Sequence, residues 1–186
     1  MKLYILRHAQ RESTHTFHTQ LTTQGHLSAQ SSILHSIQSI CPTHIYVSPF
    51  IRTIQTIQPF IQQHPQTSII VEYALSELLS SHLGFEEKQI NVEHPSPLLP
   101  NAPIGYYNPH QVQYTIETRS QMKTRVHDFL QWLINKHRES NDTILLVSHK
   151  GIISAILNWF DPSIIIDQPN FQFQMGELQH VTTTLV

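Results

Sequence analysis

Three short stretches of this 186-residue chain place arginine or histidine directly after an apolar run. Arg7-His8 follows Lys2 to Leu6, Arg52 lies in the turn Ser48-Pro49-Phe50-Ile51-Arg52 after His44 to Val47, and Ser148-His149 follows Thr143 to Val147. Each alone reads as a solvated strand end, a helix cap or a surface arginine. Together, two guanidinium groups and two imidazoles make a compact cationic pocket, and guanidinium matches phosphate oxygens in bidentate geometry. An imidazole can attack phosphorus when one ring nitrogen is unprotonated and the other is fixed by a hydrogen bond, so a phosphohistidine is chemically accessible without a metal. An alkoxide leaving group then requires a proton, from a carboxylic acid that burial keeps protonated. Glu77 in Ala74-Leu75-Ser76-Glu77-Leu78 is the best placed candidate, although by itself it reads as a loop carboxylate.

These residues meet only if the runs before them are neighbouring parallel strands. Lys2 to Leu6, His44 to Val47, Ser68 to Glu72 and Thr143 to Val147 read as strands, the last being the strongest. Helical spacing is expected from Thr22 or Thr23, as N-cap, to Pro42, with Leu27, Ile33, Leu34, Ile37 and Ile40 on one face. Further helices are expected over Phe50 to Gln63, Ile116 to Lys136 and Ile152 to Trp159, the second with Met122, Val126, Phe129, Leu130 and Leu133 as its apolar stripe. Glu177 to Val186 reads as a final strand, antiparallel at the sheet edge. The alternation predicts an α/β fold, a three-layer α/β/α sandwich with a mostly parallel mixed sheet and helices on both faces. In such sheets ligands bind at the carboxyl ends of the strands. Residues 1–186 are expected to form one domain, with an irregular lid-like insertion at about 80–113 that carries Phe85, Tyr106, Tyr107 and several prolines, and a little helix near Phe85 to Gln89.

Composition narrows the classes of function. Charged residues are 13% of the chain and the formal net charge is −2, which favours neither a nucleic-acid nor a membrane partner. The apolar run at the N-terminus is interrupted by Arg7 and His8, and a single cysteine, Cys41, allows no internal disulfide, so a cytoplasmic protein is expected. The chain carries 14 histidines, so abundance alone is a poor guide to catalysis. His15 and His18 form a His-x-x-His pair with no third ligand nearby, and no metal site is expected there.

Leu6-Arg7-His8-Ala9 resembles the Arg-His-Gly signature of the histidine phosphatase superfamily, which includes phosphoglycerate mutases and many phosphatases. Ser48-Pro49-Phe50-Ile51-Arg52-Thr53-Ile54-Gln55-Thr56 is similar to its Ser-Pro-x-x-Arg-x-x-Gln-Thr turn, and Val147-Ser148-His149-Lys150-Gly151 resembles its Val-Ser-His-Gly-Gly segment. Leu75-Ser76-Glu77-Leu78 occupies the usual place of the acid. The resemblance implies a phosphoglycerate mutase-like fold, His8 as nucleophile, Arg7, Arg52 and His149 as phosphoryl ligands, Glu77 as proton donor, and no metal or organic cofactor.

Four departures bear on the substrate. Where the mutase branch has threonine and asparagine after the nucleophile, this chain has Arg11 and Thr14, and Arg11 becomes a candidate phosphate ligand or a surface arginine. Ala9 replaces glycine and either has a backbone with negative φ or accepts a strain of about 1 kcal/mol in a left-handed one. Lys150 replaces the first glycine after His149 and stands at the pocket rim or in solvent. The expected reaction is hydrolysis of a small-molecule or peptide phosphomonoester. Phosphoglycerate mutase-type transfer and non-catalytic phosphate binding are the alternatives.

Overall fold

The computed structural model describes residues 1–14, 16–78, 98–99, 101–106 and 116–181. Five strands form one sheet: β1 (Lys2–Arg7), β2 (His44–Val47), β3 (Ser68–Val71), β4 (Thr143–Ser148) and β5 (Leu178–Val181). Their order across the sheet is β3-β2-β4-β1-β5, with β5 antiparallel to β1 and every other pairing parallel. Among the described residues the helices are α1 (Thr23–Gln30), α2 (Ser32–Ile40), α3 (Ile51–Gln63), α4 (Arg119–His137) and α5 (Lys150–Phe160), and a 3-10 turn, Tyr73–Leu75, follows β3.

Alternation along the strands divides the core into two layers, because successive side chains of a strand point to opposite faces. Leu3, Ile5, Tyr46, Ile144 and Leu146 pack on one face with Met122, Val126, Phe129 and Leu133 of α4 and Ile152, Ile153 and Ile156 of α5. Leu6, Ile45, Val47, Leu145 and Val147 pack on the other with Ile33 and Ile37 of α2 and Ile54 and Ile57 of α3. The expected α/β/α sandwich with a parallel mixed sheet is therefore the fold.

The single helix expected from Thr22 to Pro42 is two. Ser31 adopts φ −121°, ψ −96°, and its hydroxyl donates to the Leu27 carbonyl at 2.6 Å, a local bond that competes with helix propagation. The break rotates α1 away from the stripe of α2, and Leu27, expected on the apolar face, is 54% exposed. Helix α2 ends on Cys41 in the left-handed conformation, φ 47°. Helix α4 begins three residues later than expected, where Thr118 and Gln121 form a capping box. Helix α5 begins earlier than expected, at Lys150, so His149 becomes its N-cap residue.

Part of the expected insertion returns to the sheet. Val71 N donates to the Pro103 carbonyl at 3.0 Å, and Gly105 N donates to the Val71 carbonyl at 2.8 Å, so this segment runs along the outer edge of β3. The little helix near 85–89, most of the lid-like insertion, His15 and the end of the last expected strand, residues 182–186, lie outside the described residues.

Gly25 fixes where α1 lies. A Cβ built there would come 2.0 Å from the carbonyl oxygen of Gln10, a backbone atom in the segment that follows His8. Gly25→Ala should therefore push that segment away and destabilise the fold by about 1–3 kcal/mol, read as a lower urea midpoint at unchanged m-value.

Candidate active site

Parallel pairing sets the site. Arg7 lies opposite Ser148 and Val47 opposite Val147, so β1, β2 and β4 end at the same level, and His8 N donates to the Ser148 carbonyl at 3.1 Å. The rings of His8 and His149 are 5.2 Å apart between centroids. Helices α3 and α5 both start at this edge, and helix N-termini favour anions.

His8 is 2% exposed, and its Nδ1 donates to the carbonyl of Ala9 at 2.7 Å. A carbonyl can only accept, so Nδ1 carries the proton and Nε2 keeps its lone pair in the neutral ring. Burial, reinforced by the charges of Arg52, Arg7 and Arg11, holds the imidazole well below its usual pKa. Ala9 N donates to Thr56 Oγ1 at 3.0 Å, which in turn donates to the Arg52 carbonyl at 2.7 Å, tying the loop after β1 to the first turns of α3. Ala9 has negative φ: the non-glycine residues with positive φ among those described are Cys41 and Asp167.

Arg7 donates from Nη1 to the Phe173 carbonyl at 2.6 Å. Arg52, 2% exposed, donates from Nη1 to the Thr16 carbonyl at 3.1 Å and lies over the Phe50 ring, 4.5 Å from its centroid. Burial lowers its pKa to about 10. Among the described residues the buried Nε of each arginine has no hydrogen-bond partner. His149 is fully buried, with Nε2 2.9 Å from Ser48 Oγ and Nδ1 3.5 Å from Glu77 Oε2, and burial followed by the charge of Arg52 holds it well below its usual pKa.

Glu77 joins this group. Its Oε2 is 3.7 Å from Arg52 Nη2, and burial outweighs the neighbouring cations and the Leu78 N–H, so its pKa is raised. The turn that carries it is clamped from two sides. Ser148 Oγ donates to the Leu75 carbonyl at 2.7 Å, and Arg125 Nη1 donates to the carbonyls of Ala74, Tyr73 and Ser76 at 2.6, 3.4 and 3.3 Å, while Arg125 Nη2 pairs with Glu117. The other carboxylate of this turn, Glu72, is fully buried and accepts from the backbone N–H groups of Ala74 and Tyr106 at 2.8 and 2.6 Å, which commits it to holding the chain.

The structure thus brings together Arg7, His8, Arg52, Glu77 and His149. Arg11 donates from Nη1 to the carbonyls of Glu12 and Thr14 at 2.6 and 2.8 Å, while its charge acts on His8, His149 and Arg52. Lys150 Nζ reaches the Pro169 carbonyl at 3.5 Å in an exposed contact, and His18 is exposed beside Phe17. Sequence reasoning missed Ser48 and Phe50 as partners of His149 and Arg52, and Arg125 as the clamp on the Glu77 turn. Arg125 had a legible signal: it falls on the stripe of Met122, Val126 and Phe129, where a charge must find a buried partner. It also missed Asp167, whose Oδ1 lies 3.5 Å from a Cβ built on Gly151, with Glu77 Oε1 3.8 Å from the same point.

The sequence profile of the histidine phosphatase superfamily (branch 1) matches residues 3–184. The chain belongs to the histidine phosphatase superfamily. Among solved structures, this superfamily member is similar to phosphoserine phosphatase from Entamoeba histolytica in complex with 3-phosphoglyceric acid, with a TM-score of 0.66, 16% identity, and coverage of 96% of this chain and 89% of that one. It is similar to alpha-ribazole phosphatase from Shigella flexneri, with a TM-score of 0.64, 20% identity, and coverage of 97% and 89%. It is also similar to a mycobacterial glucosyl-3-phosphoglycerate phosphatase in complex with VO3, with a TM-score of 0.64, 19% identity, and coverage of 96% and 90%. At these identities the likeness is one of fold. No curated protein matches the sequence significantly. No helix among the described residues is long and apolar enough to cross a membrane.

The depressed pKa values of His8 and His149 make stability depend on pH. Below 6.5 the unfolded chain binds protons on these residues that the folded site refuses, so stability present above that value is lost as pH falls beneath it. His44 and His127, also shifted down, act in the same direction. The urea midpoint should fall between pH 7.5 and 5.5, and the fall should shrink in His8→Ala.

Proposed function

We propose that this superfamily member is a phosphomonoester hydrolase working through a phosphohistidine on His8. The observation that carries the reading is the hydrogen bond from His8 Nδ1 to the Ala9 carbonyl, which leaves Nε2 as an unprotonated nitrogen in surroundings where Arg52, Arg7 and Arg11 are all positive. In the first step Nε2 attacks phosphorus, the ester P–O bond breaks, and the leaving oxygen takes a proton from Glu77. In the second, the Glu77 carboxylate takes a proton from water, whose oxygen attacks phosphorus and breaks the P–N bond. Orthophosphate leaves and Glu77 is again protonated.

Glu77 suits both steps because burial raises its pKa while Arg52, 3.7 Å away, steadies the carboxylate once it forms. Arg7, Arg52 and His149 hold the transferred phosphoryl oxygens, with Arg11 adding charge or a further contact. The unpartnered Nε atoms of Arg7 and Arg52 are the donors such an anion would satisfy. The guanidinium groups supply the positive charge that the transition state demands, so no step calls for a metal.

The substrate is a small-molecule or peptide phosphomonoester. The neighbours named for phosphoserine, alpha-ribazole and glucosyl-3-phosphoglycerate phosphatases favour small phosphates. Residues 1–186 are read as the one domain that carries this activity. A free, exposed Cys41 suits the reducing cytosol.

Rapid quenching with a ³²P-labelled aryl phosphate should trap acid-labile label on the wild-type protein and none on His8→Ala, with turnover falling by about 10⁴-fold or more. Ordinary turnover in that variant would sink the assignment. A second measurement isolates the acid: Glu77→Gln should cost about 10²–10⁴-fold in kcat/KM for an alkyl phosphate. For p-nitrophenyl phosphate, whose phenolate leaves without a proton, the loss should be far smaller.

A further inference from the structure

At the other end of the sheet, where β2 and β4 begin, one side chain from early in the sequence meets two that lie five residues apart near its end. His44 opens β2, His137 closes α4 and Asp142 precedes β4. Their potential ligand atoms all lie within 4.8 Å of one another. His137 Nδ1 is 2.8 Å from Asp142 Oδ2, His44 Nδ1 is 3.8 Å from Asp142 Oδ1, and the two imidazole rings are 5.0 Å apart between centroids. None of the three takes part in the phosphoryl chemistry.

We propose that His44, His137 and Asp142 form a binding site for a divalent transition-metal ion of borderline softness, Zn²⁺ being the type. Two imidazoles and one carboxylate are the donor set such ions prefer, whereas Mg²⁺ and Ca²⁺ favour all-oxygen sites. The spacing fits with small movement. Ligands about 2.1 Å from an ion are separated by roughly 3.3 Å along a tetrahedral edge and about 4.2 Å across the ion. The distances of 2.8 and 3.8 Å straddle the first value, and the largest separation of 4.8 Å exceeds the second by an amount that a side-chain rotation removes.

The outer shell is in place. Tyr46 OH is 3.0 Å from His137 Nε2 and can accept its N–H when Nδ1 turns its lone pair to the metal, the arrangement that orients most metal-bound histidines. Thr43 Oγ1 donates to Asp142 Oδ1 at 3.3 Å. Asp142 is a carboxylate, and the ordinary pKa of that group makes it an anion throughout the neutral range. His44 and Asp142 side chains are 28% and 25% exposed, and a cavity of about 310 Å³ lined by His44, Tyr46, Trp132 and Lys136 opens beside them, which gives a hydrated ion a way in. The remaining coordination positions go to water. Lys136, next to His137, bears against binding, but its ammonium is held 4.7 Å from the Trp132 ring centroid.

The site does not depend on the hydrolase reading, and its test does not use turnover. The full chain, stripped with chelator and dialysed at pH 7.5, is titrated with Co²⁺ and then with Zn²⁺ as competitor. One equivalent should give the visible d–d absorption of protein-bound Co²⁺ and raise the melting temperature, and Zn²⁺ should displace it. His44→Ala and Asp142→Asn, both at partly exposed positions that tolerate change, should each weaken binding about 100-fold or more, and Tyr46→Phe about tenfold. His18→Ala should change nothing. Absence of saturable binding overturns the proposal. So does binding that survives unchanged in both ligand variants, or that falls with His18→Ala, because surface histidines would then be the ligands.

Discussion

Everything at the carboxyl edge of this sheet follows from burying positive charge beside very little negative charge. Arg7, Arg52, His8 and His149 crowd one end of three parallel strands, and the carboxylate among them, Glu77, is drawn toward neutrality by its own burial. Such an arrangement is costly, because buried charges and unmet donors carry a desolvation penalty. The histidines answer by remaining neutral, Arg52 by lying over Phe50, and the guanidinium groups by binding main-chain carbonyls of Phe173 and Thr16. In the proposed reading, a phosphoryl group is the anion that answers this charge. The chemistry and the fold therefore make opposite demands on the same residues, and the backbone contacts are what reconcile them.

Those contacts are long-range in sequence. Ser148, Thr56, Phe173 and Gly176 hold the loop around His8, with Gly176 N shared between the Arg7 and His8 carbonyls at 3.1 Å each. Gly176 has φ 78°, a conformation that strains any other residue, and a Cβ there would also press on Ile33 Cδ1 of α2 at 2.8 Å. The Glu77 turn is similarly held by Arg125 of α4 and Ser148 of β4.

The sheet and the assembly of the five central residues were legible in the sequence because the strands are apolar runs that stop at charge, and strand ends in a parallel sheet share one edge. The break between α1 and α2 was not, since a serine hydroxyl bonding backward leaves apolar periodicity intact on both sides of Ser31. The start of α5 at Lys150 was missed because the signature residues there are polar, which hid the helical turn behind the chemistry. Ser48 was visible only as half of a Ser-Pro turn, and its bond to His149 needs the pairing of β2 with β4. The cluster of His44 with His137 and Asp142 was unreadable for the same reason: the last two are close in sequence, but only the pairing of β2 with β4 brings His44 to them.

The position of β1 in the sheet bears on how the protein comes into being. It precedes every other strand, yet both of its partners, β4 and β5, belong to the last part of the chain. As the polypeptide is made, Leu3, Ile5 and Leu6 lack their sheet partners until β4 has been synthesised, an apolar edge that waits for pairing. The loop carrying His8 takes its place only when that strand is finally flanked. The placement of His8 beside His149 thus waits on the pairing of β1 with β4.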